Sequence, residues 1–104
     1  MDWNSKENKR LLQAILALET PDEARRFLRD LMTEGELNEF AKRLQTAELL
    51  SQNVSYSEIE AKTGFSSTTV ARVSKWLNDG KGGYKTIINK MHHHNSIQTG
   101  RGLS

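Results

Sequence analysis

The sequence contains no cysteine in its 104 residues, which removes a disulfide framework, a thiolate zinc site and a thiol nucleophile together. Its one proline is Pro21, so most of the chain can run as helix without a break. Two Trp, two Tyr and three Phe are few for the stacking platforms by which proteins read single-stranded RNA. No apolar run approaches the roughly 18 residues of a membrane-spanning helix, and Met1-Asp2-Trp3-Asn4 lacks a signal-peptide core. The expectation is a cytoplasmic protein with no membrane partner. A phosphate loop is missing as well, because Gly80-Lys81-Gly82-Gly83 follows no strand and lacks the P-loop spacing. All histidines are adjacent, His92-His93-His94, on a stretch with no rigid frame to hold a metal. Catalysis needs a base, nucleophile or metal gathered in a pocket. The expectations are therefore no catalytic residue, no metal site, no cofactor and no enzymatic activity.

What is present is short, polar and unevenly charged. The length fits one domain, and a hydrophobic share of 36% is low for a compact chain, a shortage that oligomerisation commonly offsets. The net charge is only +2. Residues 1–70 hold nine basic and twelve acidic side chains, whereas residues 71–104 hold Arg72, Lys75, Lys81, Lys85, Lys90 and Arg101 against Asp79 alone. A basic end on a neutral body suits an anionic partner, although a solvated basic face would look the same.

Hydrophobic spacing and start signals predict six helices and no strands, an all-α fold. The first spans about Ser5 to Leu18, with Asn4 and Glu7 at capping-box spacing. The second opens at Thr20-Pro21-Asp22-Glu23, where Thr20 caps and Pro21 takes the first helical position. The third starts at Thr33 with Glu36 three residues on, and leaves near Gln52-Asn53. The fourth starts at Ser55 with Glu58 in the reciprocal position and ends at Gly64. The fifth starts at Ser66, and the sixth places Tyr84, Ile87, Ile88 and Met91 on one face. The helical domain is expected over residues 1–91. Residues 92–104 show no periodicity and read as a disordered tail.

The segment of about residues 55–78 carries the functional signal. A short helix, a glycine able to take positive φ and a second helix make a helix-turn-helix. The spacing would bury Ile59, Phe65, Val70 and Val73 between its helices. Ser66, Ser67, Thr68 and Thr69 are then left at the exposed start of the second helix. Small hydroxylated residues allow close approach to a major groove, helix N-termini attract phosphate, and Ser or Thr can bond base edges. Lys62, Lys75, Lys81 and Lys85 would meet phosphates, with Arg72 beside the bases. One departure is Glu60, at the place where such motifs usually carry Ala or Gly. Plain helical bundles share this spacing, so the pattern alone leaves two readings open: a regulator of double-stranded DNA, and a dimeric interaction module that uses the same surface to dock protein.

Residues Leu31-Met32-Thr33 through Leu77-Asn78 resemble the Trp repressor family, and most of all its YerC/YecD-type branch. The shared frame is a Leu-x-Thr start and Arg43 ten residues after Thr33. Then come Glu48-Leu49-Leu50, Ser55-x-x-Glu58-Ile59, Gly64 and Thr69-Val70-x-Arg72. With helices before and after, the resemblance covers about residues 5–91. It implies an intertwined homodimer of six-helix subunits that acts as a transcriptional regulator, in most cases a repressor. Its recognition helices would lie one DNA turn apart on a near-palindromic site. It also implies an effector site at Thr33, Arg43 and Arg72, where the family holds tryptophan. Here Val73 stands in place of a glycine and Trp76 in place of a serine. Such bulk would crowd an indole pocket, so free tryptophan is not expected to be the ligand. Each residue also has a plainer role: Thr33 as a helix cap, Arg43 paired with a nearby acid, Arg72 on DNA, and Trp76 in the core.

Overall fold

The computed structural model describes the backbone of residues 1–102 and the side chains of residues 1–93. Six helices follow in order: α1 (Lys6–Leu16), α2 (Pro21–Leu31), α3 (Glu34–Ser51), α4 (Tyr56–Thr63), α5 (Ser67–Asp79) and α6 (Gly83–Gly102). Among the described residues there is no strand, and no helix is long and apolar enough to cross a membrane. The chain divides into two compact units, residues 1–38 and residues 39–104, with α3 running through the boundary.

In the first unit the helices are defined by their caps. Ser5, rather than Asn4, caps α1, its hydroxyl accepting the Asn8 N–H at 3.2 Å. Asn4 instead donates its backbone N–H to Asp2 Oδ1. Thr20 accepts the Glu23 N–H at 3.1 Å, and the Glu23 carboxylate reaches back to the Glu19 N–H at 2.9 Å. Thr33 and Glu36 form a reciprocal box at the start of α3. Glu36 N–H donates to Thr33 Oγ1 at 3.1 Å, and Thr33 N–H donates to Glu36 Oε1 at 2.9 Å. The Thr33 N–H and the Thr33 hydroxyl, the latter at 3.1 Å, both donate to the Glu36 carboxylate and favour its charged form, so the Glu36 pKa lies below the ordinary glutamate value of 4.5. Neither α1 nor α2 buries a residue fully.

The second unit holds the core. Ala47 of α3, Val73 and Leu77 of α5 and Ile88 of α6 pack together, flanked by Leu44, Leu50 and Tyr84. α3 leaves through a left-handed Asn53 at φ 62°. The Val54 N–H reaches back to Leu49 O and the Asn53 N–H to Leu50 O, the bonds of a Schellman exit with Asn in glycine's place. α6 runs to Gly102, past the end at Met91 that the apolar spacing gave and through most of the expected disordered tail. Periodicity marks only the part of a helix that has something to bury. After Gly83, no proline and no glycine before Gly100 interrupts the backbone.

Candidate nucleic-acid interface

α4 and α5 form the helix-turn-helix, and its turn is set by Gly64. This residue sits at φ 77°, ψ 2°, and its N–H caps α4 by donating to Glu60 O at 2.9 Å. Thr63, buried beside it, ties the turn together. Its hydroxyl donates to Ile59 O at 2.8 Å and accepts the Phe65 N–H at 3.1 Å. Sequence reasoning missed Thr63; its signal was a small hydroxyl directly before the turn glycine. Ile59, Val70 and Val73 are fully buried. Phe65, expected between the helices, is only half-buried, and the Lys42 ammonium of α3 lies 5.9 Å from its ring centroid.

The start of α5 separates into capping and free hydroxyls. Ser66 Oγ accepts the Thr69 N–H at 3.2 Å and lies 3.2 Å from Thr69 Oγ1. Thr69 is half-buried, while Ser67 and Thr68 are exposed. Of the four hydroxyls expected to face bases, then, Ser66 and Thr69 are engaged with each other and Ser67 and Thr68 are free. Arg72 and Lys75 are exposed along the same helix, and among the described residues neither forms an ion pair. Lys62 differs. It pairs with Glu58 at 3.2 Å, so Glu58 supports its own helix and not the N–H of Ser55. Glu60 is half-buried, and α4 and α5 pack despite it.

The residues expected at an effector site fall out differently. Thr33 caps α3 as described above. Arg43 pairs with Glu39, Nε to Oε2 at 3.4 Å. Its guanidinium lies over two rings, 5.4 Å from the centroid of Phe40 and 5.5 Å from that of Trp76. Trp76 is therefore neither core nor free, being 40% exposed. Beside this stack opens a cleft of about 650 Å³ lined by Arg43, Trp76, Lys81, Tyr84 and Ile87. Burial pushes the Tyr84 phenol above its ordinary pKa, with the positive charge of Arg43 pulling partly the other way. Arg72, one turn before Trp76, remains exposed.

Comparison with known proteins fits this geometry. Residues 6–92 match the family of the Trp repressor protein. The chain is 36% identical over 86 residues to the uncharacterized protein YerC of Bacillus subtilis (strain 168), covering 83% of each. Among solved structures, a TrpR-like protein from Eubacterium eligens ATCC 27750 superposes with a TM-score of 0.83 at 33% identity. That match covers 86% of this chain and 93% of the other. A Staphylococcus aureus chain whose crystal structure carries the Trp repressor name gives 0.82, also at 33% identity, over 88% of this chain and 95% of that one. Fold, helix-turn-helix and sequence agree, and the chain belongs to the Trp repressor family.

Proposed function

We propose that the protein is a sequence-specific regulator, most simply a repressor, that binds double-stranded DNA as a homodimer. The observation that carries this reading is the start of α5. Gly64 and the buried Ile59, Val70 and Val73 fix a helix whose first turn presents Ser67 and Thr68 free, with Arg72 and Lys75 unpaired behind them. Small free hydroxyls suit base edges in a major groove with Arg72 beside them, and Lys75 suits a phosphate. Lys62 serves as a phosphate contact once its exposed pair with Glu58 gives way, a small cost for a surface pair. Lys81 and Lys85, also exposed, add to the basic end.

Homodimerisation is supported by helices that lack cover. α1 and α2 are amphipathic yet bury nothing fully. Such apolar stripes need a partner surface, and a symmetric second copy is the commonest one.

Free L-tryptophan is not the effector on this reading. The ring of Trp76 already lies against the Arg43 guanidinium, and Glu39 pairs with it through Nε. Calorimetry with L-tryptophan should show no heat; micromolar binding abolished by Arg43→Ala would refute this part. The central test is selection from a random duplex pool, followed by a salt series on the selected site. Enrichment of a near-palindrome with steep salt dependence is expected. No enrichment and no salt-dependent affinity would favour the alternative of a protein-docking dimer.

A further inference from the structure

We infer that Arg43 and Trp76 form an internal brace that sets the pitch of the recognition helix, so that the protein reaches its DNA-binding form with no small molecule added. The inference rests on the DNA-binding reading above and concerns how that same surface is held.

The two residues lie on different elements of one compact unit, Arg43 with Phe40 on α3 and Trp76 on α5. The core that joins these helices sets Ala47 of α3, with Leu44 and Leu50 packed beside it, against Val73 and Leu77 of α5. Aliphatic contacts are non-directional, so they constrain the twist of α5 about its axis less than an oriented contact does. The brace lies outside that core and is oriented. A planar guanidinium laid over aromatic rings is a geometry that arginine favours and lysine does not. Glu39 also holds the guanidinium, through Nε. Rotation of α5 would carry the Trp76 ring away from the stack, and it would also change where Ser67, Thr68 and Arg72 point.

Gly80 supports the same end of the helix. Its N–H donates to Trp76 O at 3.0 Å, and a Cβ at this position would stand 2.3 Å from that oxygen. The backbone of Trp76 is thus fixed by the turn that follows, and its ring by Arg43. Every component of the arrangement belongs to the chain itself. Arg43 and Trp76 are accordingly positioning residues, which act on DNA through α5.

The test uses the full chain, dialysed free of small molecules, on the duplex selected from a random pool and on random duplex. Wild type should bind the selected duplex without any addition. Trp76→Leu, which keeps every charge, should lower the ratio of selected to random affinity by about threefold, what a partly exposed cation–π contact is worth. Its salt slope should stay that of wild type. Trp76→Phe restores a ring and should recover most of the ratio. Arg43→Met is the second variant, because a half-exposed side chain can be exchanged without opening the core; it should show the same loss at the same slope. A slope reduced by about one unit in Arg43→Met would mean that Arg43 grips a phosphate, which overturns the brace. So would both variants matching wild type, or wild type needing a ligand to bind, and in either case the DNA-binding reading survives. If wild type binds no duplex at all, the DNA-binding reading fails and this inference with it.

Discussion

Gly64 and Gly80 each end a helix of the recognition motif, and each refuses a methyl group for a different reason. At Gly64 the space is open, with nothing within 4 Å of an added Cβ, but φ is +77°. An L-residue there takes the left-handed region at a cost of about 1–2 kcal/mol. Gly64→Ala should therefore lower the melting temperature by several degrees, read by circular dichroism, without moving α5. At Gly80 φ is −82°, which any residue accepts, but the Cβ would stand 2.3 Å from Trp76 O. The backbone itself must shift, so Gly80→Ala should change the environment of Trp76 in a fluorescence spectrum, which Gly64→Ala should not. That both are glycines, and that Gly64 makes the turn, was legible in the sequence. The difference between them was not, because φ and the nearest backbone oxygen are properties of the folded chain. Glu36 offers a third test at this scale. Its pKa is lowered by the bonds from Thr33, so the carboxylate's contribution to the cap is present above the ordinary value of 4.5 and is lost as pH falls through the lowered one. An NMR titration should give a midpoint below 4.5 for Glu36, and Thr33→Val should move it upward.

At the scale of the element, capping and reading can be separated along the first turn of α5. Ser66 holds the Thr69 N–H, so Ser66→Ala should cost about 1 kcal/mol of stability. Thr68 makes no such bond and is exposed. Thr68→Ala should leave the melting temperature alone and change which duplexes a random pool yields. Lys75→Ala should weaken all duplexes alike and reduce the salt slope by about one unit. If Thr68→Ala and Lys75→Ala acted identically on selected and random DNA, the division into base readers and phosphate contacts would be wrong. Most helix starts were legible because the signals are local: Thr20, Thr33, Ser55 and Ser66 all cap as their spacing indicates. Glu58 shows the limit of that spacing. A carboxylate three residues after a cap can turn back to it, or forward to a lysine four residues on, and Glu58 turns to Lys62. The end of α6 shows another limit, since apolar period gives no sign of a helix that continues without a face to bury.

For the whole molecule the telling feature is where burial stops. The fully buried apolar side chains Ala47, Ile59, Val70 and Val73 all lie in the second unit. In the first, Leu12, Ile15, Leu16 and Leu31 stay 40% or more exposed, although Leu12, Ile15 and Leu16 recur in the sequence at the i, i+3, i+4 spacing of an apolar stripe. The stripes were legible, but what covers them was not, because a repeat of Leu and Ile reads alike whether its cover comes from the same chain or from another. A monomer leaving this surface in water would forgo roughly 25 cal/mol for every Å² exposed, a large loss for a domain whose total margin is only about 5–15 kcal/mol. In the proposed homodimer a second copy would remove the loss by symmetry. The midpoint of thermal unfolding should then rise with protein concentration, since association stabilises the folded form by mass action. Sedimentation equilibrium should return twice the chain mass. Ile15→Glu, which sets a charge into the stripe of α1, should shift the population to single chains and lower the unfolding midpoint. It should also weaken binding to a near-palindromic duplex far more than to one half-site, because only a dimer can place two recognition helices on one face of the DNA. A single-chain mass in the wild type, with a midpoint indifferent to dilution, would mean that the stripes are covered some other way and that each α5 reads DNA alone.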